Sequence, residues 1–75
     1  MTVVLDQCTL DNGAYISMSA VVEYGRLVYR VTQCKMDKRT RLCGYPEREI
    51  TYADTNKARA TYRRWVRKES RRVAK

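Results

Sequence analysis

A long amphipathic helix at the C-terminal end of the chain constrains the fold more than any other feature. Residues 54–75 contain neither proline nor glycine. Asp54 or Thr55 can cap the helix, because a short oxygen side chain accepts hydrogen bonds from the free N–H groups of the first turn. Apolar side chains recur there at a helical spacing: Ala58, Tyr62, Trp65, Val66 and Val73. Such a stripe needs a second layer of structure to cover it, so we predict a helix packed on a sheet.

An antiparallel meander is predicted before the helix. Three segments alternate apolar and polar side chains, as strands with one buried face do: residues 2–10, 14–24 and 26–34. Asn12-Gly13 and Tyr24-Gly25 separate them and favour two-residue hairpin turns, because glycine readily adopts positive φ. A polar, basic loop over residues 35–48 leads to a short fourth strand over residues 49–53.

Two-residue turns fix the registers of the meander. The first turn places Leu5 opposite Ala20, and the second places Ala20 opposite Tyr29. Both registers select the same core face, which a slip of one residue would turn to solvent. This face consists of Val3, Leu5, Ile16, Met18, Ala20, Val22, Leu27, Tyr29 and Val31.

The predicted fold class is therefore α+β, with a small antiparallel meander of three or four strands followed by one basic C-terminal helix packed on the sheet. At 75 residues the chain has room for one domain with one small core, with the sheet over residues 2–53 and the helix over residues 54–75. The apolar stripe thins after Val66, so the last two turns are expected to extend past the sheet. Tyr62 and Trp65 are expected in the core. Other aromatic side chains are better candidates for exposure: Tyr15, Tyr24, Tyr45 and Tyr52.

The net charge of the chain, +8, lies in the predicted helix. Cations and acids balance over residues 1–56, whereas Glu69 is the only acid of residues 57–75. The cations of this second segment are Lys57, Arg59, Arg63, Arg64, Arg67, Lys68, Arg71, Arg72 and Lys75. Many of them lie four residues apart, and each such like-charge pair destabilises an isolated helix by about 0.2–0.5 kcal/mol.

Two interpretations of this charge stay open: a solvated face, or a surface that binds anions. Arginine outnumbers lysine in the segment, and a guanidinium group binds phosphate or carboxylate through two parallel hydrogen bonds. The predicted binding residues are Arg59, Arg63, Arg64, Arg67, Lys68, Arg71 and Arg72, with Arg39 and Arg41 of the preceding loop extending the surface.

Catalytic patterns are absent from the sequence. The chain has no histidine, which is the commonest general base, and its eight carboxylates form no spaced pair on one predicted face. It also has no glycine-rich phosphate loop and no set of residues with metal-ligand spacing. We therefore predict a protein that is not an enzyme, with no cofactor, no metal and no small-molecule substrate.

Cys8, Cys34 and Cys43 form no C-x-x-C pair. We expect them to be reduced; alternatively, Cys34 and Cys43 close the basic loop by a disulfide in an oxidising compartment. No signal-peptide pattern follows Met1, and no apolar run approaches the roughly 20 residues needed to cross a bilayer. The expected location is the cytoplasm of a host cell, and no membrane partner is expected.

Two stretches give the chain a resemblance to a known group of proteins. They are the glycine-turned hairpin SMSAVVEYGRLVYRV and the short strand that runs into a helix, ITYADTNKARATYRRW. This layout resembles that of the anti-CRISPR proteins of phages and other mobile elements, several of which have a small antiparallel sheet and one helix. Many anti-CRISPR proteins are acidic DNA mimics, and this chain departs from them. The resemblance implies an inhibitor that docks on an acidic or nucleoprotein surface.

Two functions are therefore expected. The first is a non-enzymatic inhibitor or adaptor of the anti-CRISPR kind, which docks its arginine-rich helix on a host nucleic-acid-processing complex. The second is direct, largely sequence-tolerant binding of DNA or RNA along the phosphates. No recognised DNA- or RNA-binding motif is present, which favours the first function.

Overall fold

The computed structural model describes residues 2–37, 39–40, 44 and 46–73. Four antiparallel strands form one sheet in the order β1-β2-β3-β4, and a helix follows them. The elements are β1 (Thr2–Thr9), β2 (Ala14–Glu23), β3 (Arg26–Lys35), β4 (Arg48–Tyr52) and α1 (Thr55–Val73). The predicted α+β fold, a meander with a C-terminal helix packed on the sheet, is confirmed.

The register between β2 and β3 agrees with the prediction. Ala20 lies opposite Tyr29, and Met18 lies opposite Val31. Tyr24 and Gly25 connect the strands with φ angles of 52° and 74°. A two-residue hairpin turn of type I′ requires positive φ at both positions, so this turn sets the register as expected.

The predicted register between β1 and β2 is wrong, because the connecting loop has three residues, 11–13, instead of two. The N–H group of Gly13 donates to the carbonyl oxygen of Leu10 at 2.9 Å, and Gly13 has a φ of 87°. This is the pattern of a type I turn that ends in a left-handed glycine. One additional loop residue shifts the pairing by one position, so that Asp6 lies opposite Met18.

The shift exchanges the two faces of β1 over residues 6–9, and a second shift at Leu5 returns Val3 to the face of Ala20. Cys8 now packs against the core cluster. Leu5 lies where the register shifts again, and like Val3 it is about half exposed, at 43% and 48% respectively. β1 therefore contributes Cys8 to the core instead of the predicted Val3 and Leu5.

α1 covers one end of the sheet face that the sequence selected. The core cluster consists of Ile16, Met18, Val31, Ala58, Tyr62 and Trp65. At the other end of the same face, Val22 and Leu27 lie opposite each other and are 50% and 54% exposed. The reason is where α1 begins: β4 ends at Tyr52 opposite Tyr29, and α1 runs from there toward Gln33, away from Val22 and Leu27.

The start of α1 follows the prediction, and its later part does not. Asp54 caps the helix, because its carboxylate accepts a hydrogen bond from the N–H group of Asn56 at 2.8 Å. The last turns were expected to extend past the sheet, but Glu69 is 5% exposed and is hydrogen-bonded to residues of the sheet side. This buried carboxylate holds the second half of α1 against the sheet. Of the remaining stripe residues, Val66 and Val73 are half-buried.

The sheet face opposite α1 carries charged residues that pair with each other. Arg30 forms an ion pair with Glu23, and its Nε atom lies 3.7 Å from a carboxylate oxygen of Glu49. The charge of Arg30 is therefore balanced within the sheet.

The cysteines differ from each other. Cys34 is disulfide-bonded, whereas Cys8 carries a free thiol. The expectation of reduced cysteines is therefore wrong for Cys34. The partner suggested for it, Cys43, lies outside the described residues.

Candidate partner-binding surface

The outward side of α1 carries most of the cations that the sequence selected. An α-helix turns by about 100° per residue, which places Arg63, Arg67 and Arg71 opposite the buried side, with Arg64 and Lys68 beside them. All five side chains are exposed. We call these five residues the cationic face.

The cationic face has no internal partners. Within the described residues, none of its five side chains forms an ion pair or a hydrogen bond; the ion pairs found there involve Arg30 and Arg72. Unlike Arg30, these side chains therefore retain their full capacity to bind an external anion.

The other predicted binding residues are placed differently. Arg59 is half-buried, and Arg72 is exposed but donates to Glu69 at 3.1 Å. Arg39 is exposed in the loop between β3 and β4, where its N–H group donates to Asp37 at 2.8 Å. Among the described residues, Arg39 makes no hydrogen bond or ion pair with α1. Arg41 lies outside the described residues.

The single acid of the helix segment, Glu69, is turned away from the cationic face. Its carboxylate accepts hydrogen bonds from Gln33 at 3.0 Å, from Arg72 at 3.1 Å and from Asn12 at 3.4 Å. Burial by itself raises the pKa of Glu69, but the hydrogen bonds from Gln33 and Asn12 and the charge of Arg72 outweigh burial, so the pKa is lowered. Glu69 is therefore a charged, inward-facing anchor.

Sequence reasoning missed Arg48. Its Cζ atom lies 4.0 Å from the centroid of the Trp65 ring, a cation–π contact. Its Nε atom donates to the side-chain oxygen of Gln33 at 2.8 Å. Strand alternation with Ile50 puts Arg48 on the covered side of β4, but no sequence signal shows that Trp65 lies above it.

An open cleft lies between the second half of α1 and the sheet. It has a volume of about 230 Å³ and is lined by Gln33, Glu47, Arg48, Lys68, Glu69 and Arg72. We call it the Arg48 cleft. A smaller cavity of about 70 Å³ shares four of these residues and adds Asn12, Ala14 and Lys35. The lining is polar, and it includes one member of the cationic face, Lys68.

Tyr62 is on the buried side of α1, facing the sheet. Burial and the neighbouring carboxylate of Asp6 raise the pKa of Tyr62 to about 12. The hydroxyl group therefore stays protonated at neutral pH. Tyr62 and Trp65 lie in the core, as predicted.

The end of the sheet that α1 leaves open is apolar. We call it the uncovered end, and it consists of Val3, Val22, Tyr24 and Leu27, which are all exposed. Tyr24, predicted as an exposed aromatic, is 102% exposed at the tip of the β2–β3 turn. The other tyrosines of that prediction, Tyr15 and Tyr52, are half-buried, and Tyr45 lies outside the described residues.

Comparisons with known proteins found no match, neither to a family model nor to a curated protein nor to a solved structure. In the part of the chain that the structure describes, no helix is both long enough and apolar enough to cross a bilayer. Nor does any group of three or more His, Cys, Asp or Glu side chains in these residues form a possible metal site.

Proposed function

We propose that this protein is a non-enzymatic docking protein that binds an acidic or nucleoprotein surface through the cationic face of α1. The observation that carries the proposal is the set of five exposed cations without a partner among the described residues. Their mutual repulsion opposes helix formation, so the fold gains nothing from them. Binding to an anionic surface gives these charges a role.

The proposed partner is a host nucleic-acid-processing complex, which the protein would inhibit or adapt inside the host cell in the manner of anti-CRISPR proteins. The layout of sheet and helix supports this choice. The uncovered end supports a protein component in the partner, because exposed apolar side chains around a tyrosine are typical of protein–protein contacts. A protein with both a cationic surface and an apolar surface is better suited to a complex that contains protein than to a nucleic acid alone.

Direct, sequence-tolerant binding of DNA or RNA is the second candidate. Arg63, Arg67 and Arg71 follow one another at intervals of about 6 Å along the helix axis. Phosphates of one DNA strand lie about 3.4 Å apart along the duplex axis, so such a row meets roughly every second phosphate. This spacing favours contacts to the backbone, which position a protein but do not read sequence.

A salt titration separates the two candidates. The purified protein is mixed with labelled double-stranded DNA, single-stranded DNA and RNA at increasing salt concentration. Direct binding gives an affinity that falls with log salt at a slope of about −0.9 per duplex phosphate contacted. The absence of binding even at low salt contradicts the second candidate and leaves a surface that contains protein as the partner.

The double variant Arg63→Ala/Arg67→Ala tests the cationic face itself. Both side chains are exposed and unpaired, so its stability to urea is expected to stay within about 0.5 kcal/mol of the wild type. In a host with an active CRISPR system, the wild-type protein is expected to restore phage plaques and the double variant to fail.

The control variant Arg26→Ala/Lys35→Ala removes the same charge from exposed positions of β3, outside α1. It is expected to behave like the wild type in the plaque assay. Unfolding of Arg63→Ala/Arg67→Ala would show that the arginines are structural, and equal loss in both double variants would show that only net charge matters. Either result contradicts the proposed function.

A further inference from the structure

The Arg48 cleft contains hydrogen-bond donors that the fold does not use. The Nε atom of Arg48 is bound to Gln33, but its two terminal nitrogens donate to no other described residue. Lys68 is exposed and likewise forms no hydrogen bond or ion pair within the described part of the chain. Arg72 uses Nη1 for Glu69. Cationic donors from β4 and α1 therefore converge on one cavity.

The acids of the cleft do not cancel this charge. Both carboxylate oxygens of Glu69 are already occupied by hydrogen bonds from Gln33, Asn12 and Arg72. Glu47 is exposed, and its side chain forms no hydrogen bond or ion pair with the cations in the described residues. Three cations against two acids leave the cleft positive.

We propose that the Arg48 cleft binds one phosphate group, with Arg48 and Lys68 as its contacts and Arg72 at its side. A phosphate dianion accepts hydrogen bonds from several directions, whereas a carboxylate accepts them in one plane. The volume of about 230 Å³ is far above the roughly 10–15 Å³ that one water molecule requires on the same measure, so the cleft has room for a phosphate group.

Arg48 is oriented for this role before a ligand arrives. The ring of Trp65 lies against one side of its guanidinium group, and Gln33 fixes its Nε atom. A donor that is already fixed loses little side-chain entropy on binding. This site goes beyond the proposed docking function. It shares Lys68 with the cationic face, but Arg63 and Arg67 lie outside the cleft, so the two functions can be tested separately.

The Trp65 ring provides the readout, because it is the only tryptophan of the chain and contacts Arg48. Inorganic phosphate is titrated into the full chain at constant ionic strength, with chloride as the replaced anion, and Trp65 fluorescence is followed. A saturable change is expected. Lys68→Ala should weaken binding about tenfold, which corresponds to the loss of one charge-assisted hydrogen bond.

Three variants test whether the effect is local. Lys57→Ala removes the same charge from an exposed position of α1 outside the cleft and should leave the affinity unchanged. Arg63→Ala/Arg67→Ala should bind phosphate normally even if docking is lost. Glu47→Gln should strengthen binding, because it removes an acid from the cleft lining. Equal weakening by Lys57→Ala and Lys68→Ala would show general charge attraction and overturn the proposal.

The source of the phosphate is resolved with short oligonucleotides. Tighter binding of a 5′-phosphorylated dinucleotide than of its unphosphorylated form assigns the cleft to a nucleic-acid terminus. If both dinucleotides bind equally, and more tightly than inorganic phosphate, the cleft binds the nucleic-acid backbone. If inorganic phosphate binds more tightly than both dinucleotides, the cleft binds the free anion. No saturable change with any of these ligands overturns the proposal. A stronger response to hexaglutamate than to phosphate overturns it as well and makes the cleft a carboxylate site for a protein partner.

Discussion

The two ends of the sheet differ in what their side chains do. At the end beneath α1, Ile16, Met18 and Val31 are fully buried, and the hydrogen bonds of Glu69 connect helix and sheet. At the uncovered end, Val22 and Leu27 continue the same apolar face but remain half exposed. The same alternation of side chains therefore produces a core at one end and an apolar surface at the other.

This difference shows that the stabilising contacts of this small protein are concentrated in one part of it. The covered end contains the core cluster and the buried polar contacts. The uncovered end and the cationic face add little to the core or to the buried polar contacts, since their side chains are exposed. Substitutions of core residues should therefore act on folding, and substitutions of exposed residues should act on the proposed binding.

Trp65→Ala is expected to have the largest effect on folding. The ring is 7% exposed and belongs to the core cluster, and the loss of a buried tryptophan side chain costs about 3–5 kcal/mol. Because small domains have a total stability of only about 5–15 kcal/mol, the variant should be partly or largely unfolded. Urea denaturation followed by circular dichroism measures this. A normally stable but inactive variant would instead make Trp65 a contact residue.

The same substitution at the two ends tests the comparison directly. Val31 is 0% exposed and Val22 is 50% exposed, on neighbouring strands and on the same face. Val31→Ala should destabilise the protein by about 2 kcal/mol, from two buried methyl groups at about 0.8 kcal/mol each and the cavity they leave. Val22→Ala should cost less than about 1 kcal/mol. Equal losses in urea denaturation would show that the uncovered end is buried in solution.

Glu69→Gln should destabilise the protein by about 1 kcal/mol at pH 7, because the charged acceptor of three hydrogen bonds is replaced by a neutral one. The pKa of Glu69 is lower in the folded chain than its usual value of 4.5. Its contribution is therefore complete above about pH 4.5 and is lost as the pH falls through the folded pKa. The urea midpoint between pH 3 and pH 7 should fall less on acidification in Glu69→Gln. An identical pH profile for both proteins would contradict this role.

Tyr24→Asn should have the smallest effect, and it should stabilise the protein. Tyr24 has a φ of 52° and a fully exposed side chain, so its left-handed backbone costs energy that no contact offsets. Asn-Gly is the preferred type I′ turn, and a gain of about 0.5–1 kcal/mol is expected. Gly25→Ala is the control and should destabilise, because its φ is 74°. A loss of stability in Tyr24→Asn would show that the tyrosine supports the turn.

Features that depend on local periodicity and turn chemistry were predictable from the sequence. The Tyr24-Gly25 turn determined the register of β2 and β3, since a two-residue loop allows one pairing. The 3.6-residue period placed Tyr62 inward and Arg67 outward on α1. The position of the cationic face follows from the sequence alone for this reason. The uncovered end was not predicted, because periodicity does not show where along the sheet α1 begins.

Features that depend on distant contacts were decided by the tertiary structure. One additional residue in the loop before Gly13 turned Cys8 inward, and a second register shift at Leu5 kept Val3 on the predicted face, although both loop lengths fit the same sequence. Glu69 is separated from Gln33 by 36 positions in the chain, and Arg48 meets Trp65 only because α1 crosses β4. Helix and strand periods state which side of an element a residue occupies. Which residue of another element it contacts depends on how the two elements pack on each other.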